Sequence, residues 1–493
     1  MRKWLFLAGI FAFVLVVRLV FAFQTPYFHY DAYQTYLEVE TILETGKPLL
    51  YMSSPLDKEM YVGSPLFSCI LAGGALFIPL SIALKVLPNI FISTLVIVVY
   101  FLAFRITKKH EIALIAAFMS GFAPIIYETT LHTLSSLTLS FPLLLLSYYY
   151  FMGLPKKHDL RGFLMSFLIL TLLSPLSFIL VLSILLSLFI SRLEGGSIRR
   201  AEVEVGLFIT FFTMWFQFII YKKAFLEHGI RVIWQNVPES VSVVFFHDIT
   251  LIEALYSIGF VPFILGAYII SKYLFQEKNR EVHLLSSTAL ILGVLLWTRL
   301  LPLRLGLSIL AVILILLVAQ FLVLFVSYID KTKIVALKPL FLISLLLVFA
   351  ITSIVPTIAL SQEQLANDIP RPGEIRTLEW LSRQEPGEVA SGLRDGFIVR
   401  AIAKREVIID KEFLFENDAE QRLKDIETIF TTPYKTDIIA SLEKYGAPYI
   451  YISPRTAALY NLSTSPFPQD CFKILYDRQA QVYRNICTLN RVD

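Results

Sequence analysis

Asp31 is the carboxylate in this sequence best placed to do chemistry. It follows the first long apolar run by a few residues and stands among Tyr27, Phe28, His29, Tyr30 and Tyr33. A carboxylate in a partly dry pocket is a competent general base for a hydroxyl group, and an ionisable residue at a membrane boundary is costly to keep. The same position also suits a plain helix N-cap, where Asp is favoured. Glu38 and Glu40 fall on different faces of the helix expected next. Glu128 and His132 are four residues apart, a spacing that shares one helix face and suits a metal, a substrate contact or a polar loop edge. Lys222, Lys223, Arg231, Arg299 and Arg304 are scattered cations. Arg304 lies inside an apolar run, where either an anion or snorkelling to lipid headgroups satisfies it. A guanidinium fork binds two phosphate oxygens at once. His247-Asp248 reads as a catalytic pair or as one more N-cap.

The elements that must position these residues are helices in a membrane. Of the 493 residues 56% are hydrophobic and 17% charged, where soluble domains carry roughly 25%. The net charge of +4 is spread along the chain, which argues against a nucleic-acid partner. Three cysteines are too few for a disulfide framework or a cysteine-rich metal site. Twelve apolar runs stand out: 4–23, 65–87, 89–106, 112–127, 134–152, 162–173, 175–190, 203–221, 252–275, 284–297, 303–328 and 339–360. A span needs about 20 such residues, and positive loops stay cytoplasmic. Setting the basic loops 105–110, 156–161, 192–200, 272–280 and 331–338 inside makes every later pair of runs an out-and-back hairpin. One of the first two runs after residue 23 then cannot cross. The run 65–87, with Gly73-Gly74 and Pro79, is the weaker helix. The expectation is a polytopic α-helical protein of about 11 crossings in the plasma membrane. Its N-terminus is cytoplasmic, and a first outer loop spans residues 24–88.

Composition changes near residue 360. Residues 1–360 form the expected membrane domain, and 361–493 a polar extracytoplasmic α/β domain. Short apolar strands at 389–391, 407–409 and 449–452 alternate with helices, which suggests a mostly parallel sheet, and 472–488 reads as a terminal hairpin. Cys471 and Cys487 flank that hairpin and suit a disulfide; Asn461-Leu462-Ser463 is a glycosylation sequon. There is no phosphate loop and no nucleotide fingerprint. A carboxylate loop, arginines, an aromatic rim and a membrane cavity together suit a lipid-linked phosphate substrate.

The order of several stretches adds a resemblance. YFHYDAYQTYLEVETILETGKPL follows the first run; SPL, RITKKHE, FAPIIYETTLH and LPLRLGL come next; and the C-terminal domain opens TLEWLSRQEPGEV and contains KYGAPYIYISP. With these, essentially the whole chain resembles the GT-C glycosyltransferases, multi-span enzymes that use polyprenyl-phosphate sugars. They include protein mannosyltransferases, aminoarabinose transferases and oligosaccharyltransferases. The resemblance implies Asp31 as the catalytic carboxylate and Arg304 on the phosphate of a polyprenyl or dolichyl carrier. Tyr30, Tyr33, Glu128, His132, Lys223 and Arg299 are the further expected substrate contacts. The second outer loop offers one Glu and no Asp, which puts a divalent cation, Mg or Mn, in doubt, with Glu128 and His132 its candidate ligands. The WWD signature of oligosaccharyltransferases is absent, which favours a single sugar. Such a donor needs a base for the acceptor and positive charge for the departing phosphate. The expected reaction is hexosyl transfer with inversion to an extracytoplasmic protein, lipid or glycan. A transporter, flippase or scaffold for lipid-linked glycans would use the same arginines without needing Asp31 as a base.

Overall fold

The computed structural model describes residues 2–48, 51–53, 58–60, 64–195, 198–229, 250–275, 279–332, 335–411, 418–462 and 466–489. The chain divides into two compact units. One comprises Met1–Pro26, Phe77–Ile220 and Phe245–Ala366; the other comprises Tyr27–Leu76, Tyr221–Val244 and Asn367–Asp493. This division cuts across the expected boundary at residue 360. Most of the first loop groups with the C-terminal residues rather than with the membrane helices.

The first unit is helical because its apolar runs leave the backbone no partner but itself. Helix Arg2–Ala22 buries Leu7, Val14, Arg18 and Ala22 along one stripe and exposes Trp4, Phe6, Phe13, Val16 and Val20. Leu303–Ile329 is buried on nearly all sides and is the central helix of the unit's core. The early run breaks as its glycines and prolines suggest. Leu66–Ala75 is a ten-residue helix, too short to span, and Leu80–Thr107 is a single helix of 28 residues begun at Pro79 and containing Pro88. Among the described residues six helices are long and apolar enough to cross a membrane, or up to eight if each of two bent pairs is one span. This is an integral membrane protein. The expected eleven crossings depend on counting short helices such as Leu137–Phe151 and Ser177–Leu193 as spans.

Two of the apolar runs are broken. His110–Ser120 and Pro124–Thr130 meet at 48°, and Ile252–Ile258 and Phe260–Tyr273 at 96°. The second break falls at Gly259, where φ is +98° and an added Cβ would lie 2.6 Å from Ser353 Oγ. Ser353 belongs to a π-helical turn, Ala350–Ile354, inside the last long helix. Gly259 permits both the backbone conformation and the close approach.

In the second unit, Ala32–Thr45 is the helix expected after Asp31 and ends on Gly46 in the left-handed conformation, φ 70°. The C-terminal sheet runs in the order Val389–Ala390, Tyr449–Ile452, Gln481–Asn485, Phe472–Asp477. The first pair is parallel and the other two antiparallel, so the sheet is mixed rather than mostly parallel. The reason is the terminal hairpin, whose two strands must run in opposite directions. Val407 adds only an isolated parallel bridge to Val389. The apolar sides of Ala419–Thr431 and Lys435–Lys444 cover this sheet with Ile426, Ile429, Ile439 and Leu442.

A disulfide joins Cys471 to Cys487 and closes the open end of the hairpin, where the Ile486 amide also donates to the Cys471 carbonyl at 2.9 Å. The bridge closes a loop of 16 residues. Replacing both cysteines by serine is expected to cost about 3 kcal/mol for a loop of this size. The measurement is amide exchange in the two strands, which should become faster while exchange in Leu303–Ile329 is unchanged.

Glu388 supplies a second stability expectation. Burial, with repulsion from Glu406 second, pushes its carboxyl from 4.5 up to about 7. The folded chain therefore holds this proton more tightly than the unfolded chain. The resulting stability is complete below about pH 4.5 and is lost as pH rises through about 7. Glu388→Gln should raise the melting temperature at pH 8 and leave it nearly unchanged at pH 5.

Candidate active site

Asp31 stands at the N-cap position of Ala32–Thr45, yet its side chain makes no capping hydrogen bond. The carboxylate turns instead to Lys411, whose Nζ donates to Oδ1. His29 lies beside the pair, with Nδ1 3.8 Å from the carboxylate and accepting the Asp31 backbone N–H at 3.1 Å. Burial pushes the Asp31 carboxyl up, but Lys411 and then His29, with Arg455 also helping, outweigh it and hold the group below its ordinary value. Burial lowers the His29 imidazole, against the pull of Asp31 and Asp368. The result is an ionised carboxylate that is 42% exposed beside a lysine that is 16% exposed. Asp31 can therefore accept a proton from a hydroxyl brought to its open side.

The neighbouring residues brace this arrangement. Tyr30 is buried, its hydroxyl donates to Glu374 at 2.6 Å, and the Arg455 guanidinium lies over its ring at 5.2 Å. Arg455 also bonds Asp368 at 3.4 Å. Tyr33 is buried against Phe28 and Tyr36. Both tyrosines, expected to touch substrate, have their rings inside the unit, where they fix the loop that carries Asp31. Glu38 is buried and accepts from Ser68, while Glu40 pairs with Lys404, so each carboxylate is held within the fold.

In the membrane unit, Arg304 and Glu128 are brought together. Arg304 is the second residue of Leu303–Ile329, and its Nε lies 3.0 Å from Glu128 Oε1. Arg304 is 58% exposed and Glu128 13%. With more than half of its side chain exposed, Arg304 is open to an anion as well as to Glu128. Thr129 and Ser308 hold the same two helices together at 3.2 Å. Pro124–Thr130 ends before His132, so the four-residue spacing does not run along one continuous helix. His132 is buried. Arg299 is exposed at the turn before Leu303, with φ 56°. Lys223 lies in Arg200–His228 and its side chain is outside the described residues, as are Arg231, His247 and Asp248.

Glu128 and His132 do not make a convincing metal pair. The Glu128 carboxylate already faces a guanidinium, and among the described residues no three His, Cys, Asp or Glu gather as ligands.

Sequence reasoning passed over Arg18 and Lys85, which sit inside apolar runs. Arg18 is 2% exposed and donates to Asn89 Oδ1 at 2.9 Å and Thr130 Oγ1 at 2.7 Å, with Tyr127 under its guanidinium at 4.5 Å. It ties the first helix to Leu80–Thr107 and to the short helix that bears Glu128. Lys85 Nζ donates to the carbonyls of Ala22, at 2.7 Å, and Thr25. The available signal was a charge inside a spanning run. Lys411 carried no signal, being one basic residue in a polar domain.

No family model and no curated protein matches the sequence. Solved structures do match. The oligosaccharyltransferase of Archaeoglobus fulgidus aligns with 90% of this chain and 69% of its own, at TM-score 0.65 and 15% identity. ArnT from Cupriavidus metallidurans, solved with undecaprenyl phosphate, aligns over 97% of this chain and 98% of its own, at TM-score 0.55 and 12% identity. These are GT-C glycosyltransferases, as is the arabinofuranosyltransferase AftD from Mycobacteria, which covers 98% of this chain and 40% of its own at TM-score 0.55 and 15% identity. The chain has a GT-C fold. At these identities the likeness is one of architecture.

Proposed function

We propose that this protein is a glycosyltransferase that moves a single sugar from a polyprenyl-phosphate donor to an extracytoplasmic acceptor. The observation that carries the reading is Asp31, an ionised carboxylate that does not cap its helix, in a chain with the GT-C fold. ArnT has been solved with undecaprenyl phosphate and the Archaeoglobus oligosaccharyltransferase with a dolichol-phosphate. A lipid-phosphate donor for this chain follows by analogy. The missing WWD signature favours one sugar over a whole glycan.

Asp31 takes the proton of the acceptor hydroxyl as that oxygen attacks the anomeric carbon. The bond from that carbon to the phosphate oxygen breaks, and its electron pair leaves on the polyprenyl phosphate. Arg304, largely exposed beside Glu128, steadies the departing anion with its charge. Attack and departure on opposite faces invert the anomeric centre. The leaving phosphate is a weak base, so the reaction needs no general acid. The orientation that suits this chemistry has a cytoplasmic N-terminus, with Asp31 and the C-terminal domain outside.

The test uses full-length protein in proteoliposomes with labelled polyprenyl-phosphate mannose or glucose and, separately, the matching nucleotide sugars. Release of polyprenyl phosphate with a glycosylated product from the lipid donors alone is the expected result. Binding of the lipid donors without turnover would favour a transporter or scaffold.

A further inference from the structure

Resting on that reading, we infer that Lys411 is a positioning residue for the transfer, its ammonium orienting the Asp31 carboxylate and keeping it ionised as the base. The C-terminal unit then supplies part of the catalytic apparatus itself, beyond any part it has in acceptor binding.

Geometry comes first. Asp31 is spaced to cap Ala32–Thr45, and the cap bond is not made. The carboxylate instead receives a direct hydrogen bond from Lys411 Nζ, across 380 residues of sequence. The lysine is much the more buried of the two, so the contact is anchored from the protein side and the carboxylate keeps its open side.

The other groups around Asp31 do not replace this contact. His29 Nδ1 accepts the Asp31 backbone N–H, so it has no proton to donate to the carboxylate, and burial favours the neutral ring. Arg455 is engaged by Tyr30 and Asp368. Arg394 acts on Lys411 through its charge, and Asp368 on His29 through its own. The balance at Asp31 lies between burial, which raises its carboxyl, and Lys411 first among the groups that lower it. Removing the ammonium takes away the first of the groups that oppose burial, so the carboxyl should titrate at higher pH, and a protonated carboxyl cannot take the acceptor's proton.

The test compares wild type, Lys411→Met and Lys411→Arg, all full length, in two measurements. The first is the pH profile of kcat/KM with a polyprenyl-phosphate sugar. In Lys411→Met the acid limb should move to higher pH by about 1–3 pH units, with kcat/KM close to wild type near pH 9. Lys411→Arg keeps the charge and should restore most of the profile. A fall equal at all pH values, or an unmoved limb, would overturn the inference. The second measurement needs no turnover: carbodiimide labelling of Asp31 across pH, read by mass spectrometry. Its onset should move to higher pH in Lys411→Met alone, and an onset shared by all three proteins would overturn the inference. If labelling shifts as expected but wild type turns over no lipid donor, the electrostatic contact stands while the glycosyltransferase reading and the catalytic part of the inference both fall.

Discussion

Asp31→Asn is expected to remove nearly all turnover while leaving donor binding intact. Asparagine keeps the size and planarity of the side chain and still accepts a hydrogen bond from Lys411, so the loop can hold its shape. It cannot take up a proton at neutral pH. Loss of a positioned general base costs about 10²–10⁴-fold in rate. Because the chemistry is lost and the donor's lipid and phosphate contacts are not, kcat should fall and KM for the donor should change little. Asp31→Glu is the informative companion. It keeps the charge, lengthens the arm by one methylene group and should retain partial activity. Equal turnover by wild type and Asp31→Asn would remove Asp31 from the mechanism. Melting temperatures of all three proteins guard against a folding artefact. The asparagine loses no capping bond but removes a carboxylate charge from beside the largely buried Lys411, so a modest drop in melting temperature is expected.

The second large effect is expected at Arg304. Arg304→Ala should lower kcat/KM by about 10²-fold, the usual scale for losing a donor aimed at developing charge. Two physical changes contribute. The phosphate loses its guanidinium, and Glu128, only 13% exposed, loses the cation 3.0 Å from its carboxylate. The Glu128 carboxylate, no longer beside that cation, then repels the phosphate more strongly. The double variant Arg304→Ala/Glu128→Gln separates the two, because it removes the repulsion without restoring the fork and should recover part of the lost donor affinity. Arg304→Lys should fall between wild type and Arg304→Ala, since an ammonium keeps the charge and loses the bidentate geometry. Measured KM values and inhibition by free polyprenyl phosphate would report both effects. No change in either parameter for Arg304→Ala would leave the ion pair as a purely structural link between its two helices.

Local features of this fold could be read from the sequence, and distant ones could not. The helix after Asp31 and its stop at Gly46 follow from pattern and from one glycine, found at φ 70°. The closing hairpin was legible in its alternating residues, and its disulfide in two cysteines at either end. The apolar runs marked the membrane helices but not their breaks. The 96° bend at Gly259 depends on a match between a glycine and the π-helical turn at Ser353, nearly 100 positions away. Asp31 and Arg304 stood out because a charge beside or within apolar sequence is unusual. Arg18 met the same criterion and was passed over, because its partners Asn89 and Thr130 are ordinary polar residues with no local motif. Lys411 had nothing to mark it, since the contact that gives it meaning is made only when the chain folds. Tyr30 and Tyr33 read as a substrate rim because aromatic clusters near a carboxylate often are one; in the structure their burial makes them supports for the loop.

The central claim is a single displacement on a lipid-phosphate sugar, with one carboxylate as base. It is tested most directly by the anomeric configuration of the product, determined by NMR after turnover of a polyprenyl-phosphate sugar of defined anomer by full-length protein. Inversion at the anomeric carbon, with polyprenyl phosphate released in equal amount, is the predicted result. Retention would require a covalent glycosyl intermediate and a second displacement, and would contradict the role assigned to Asp31.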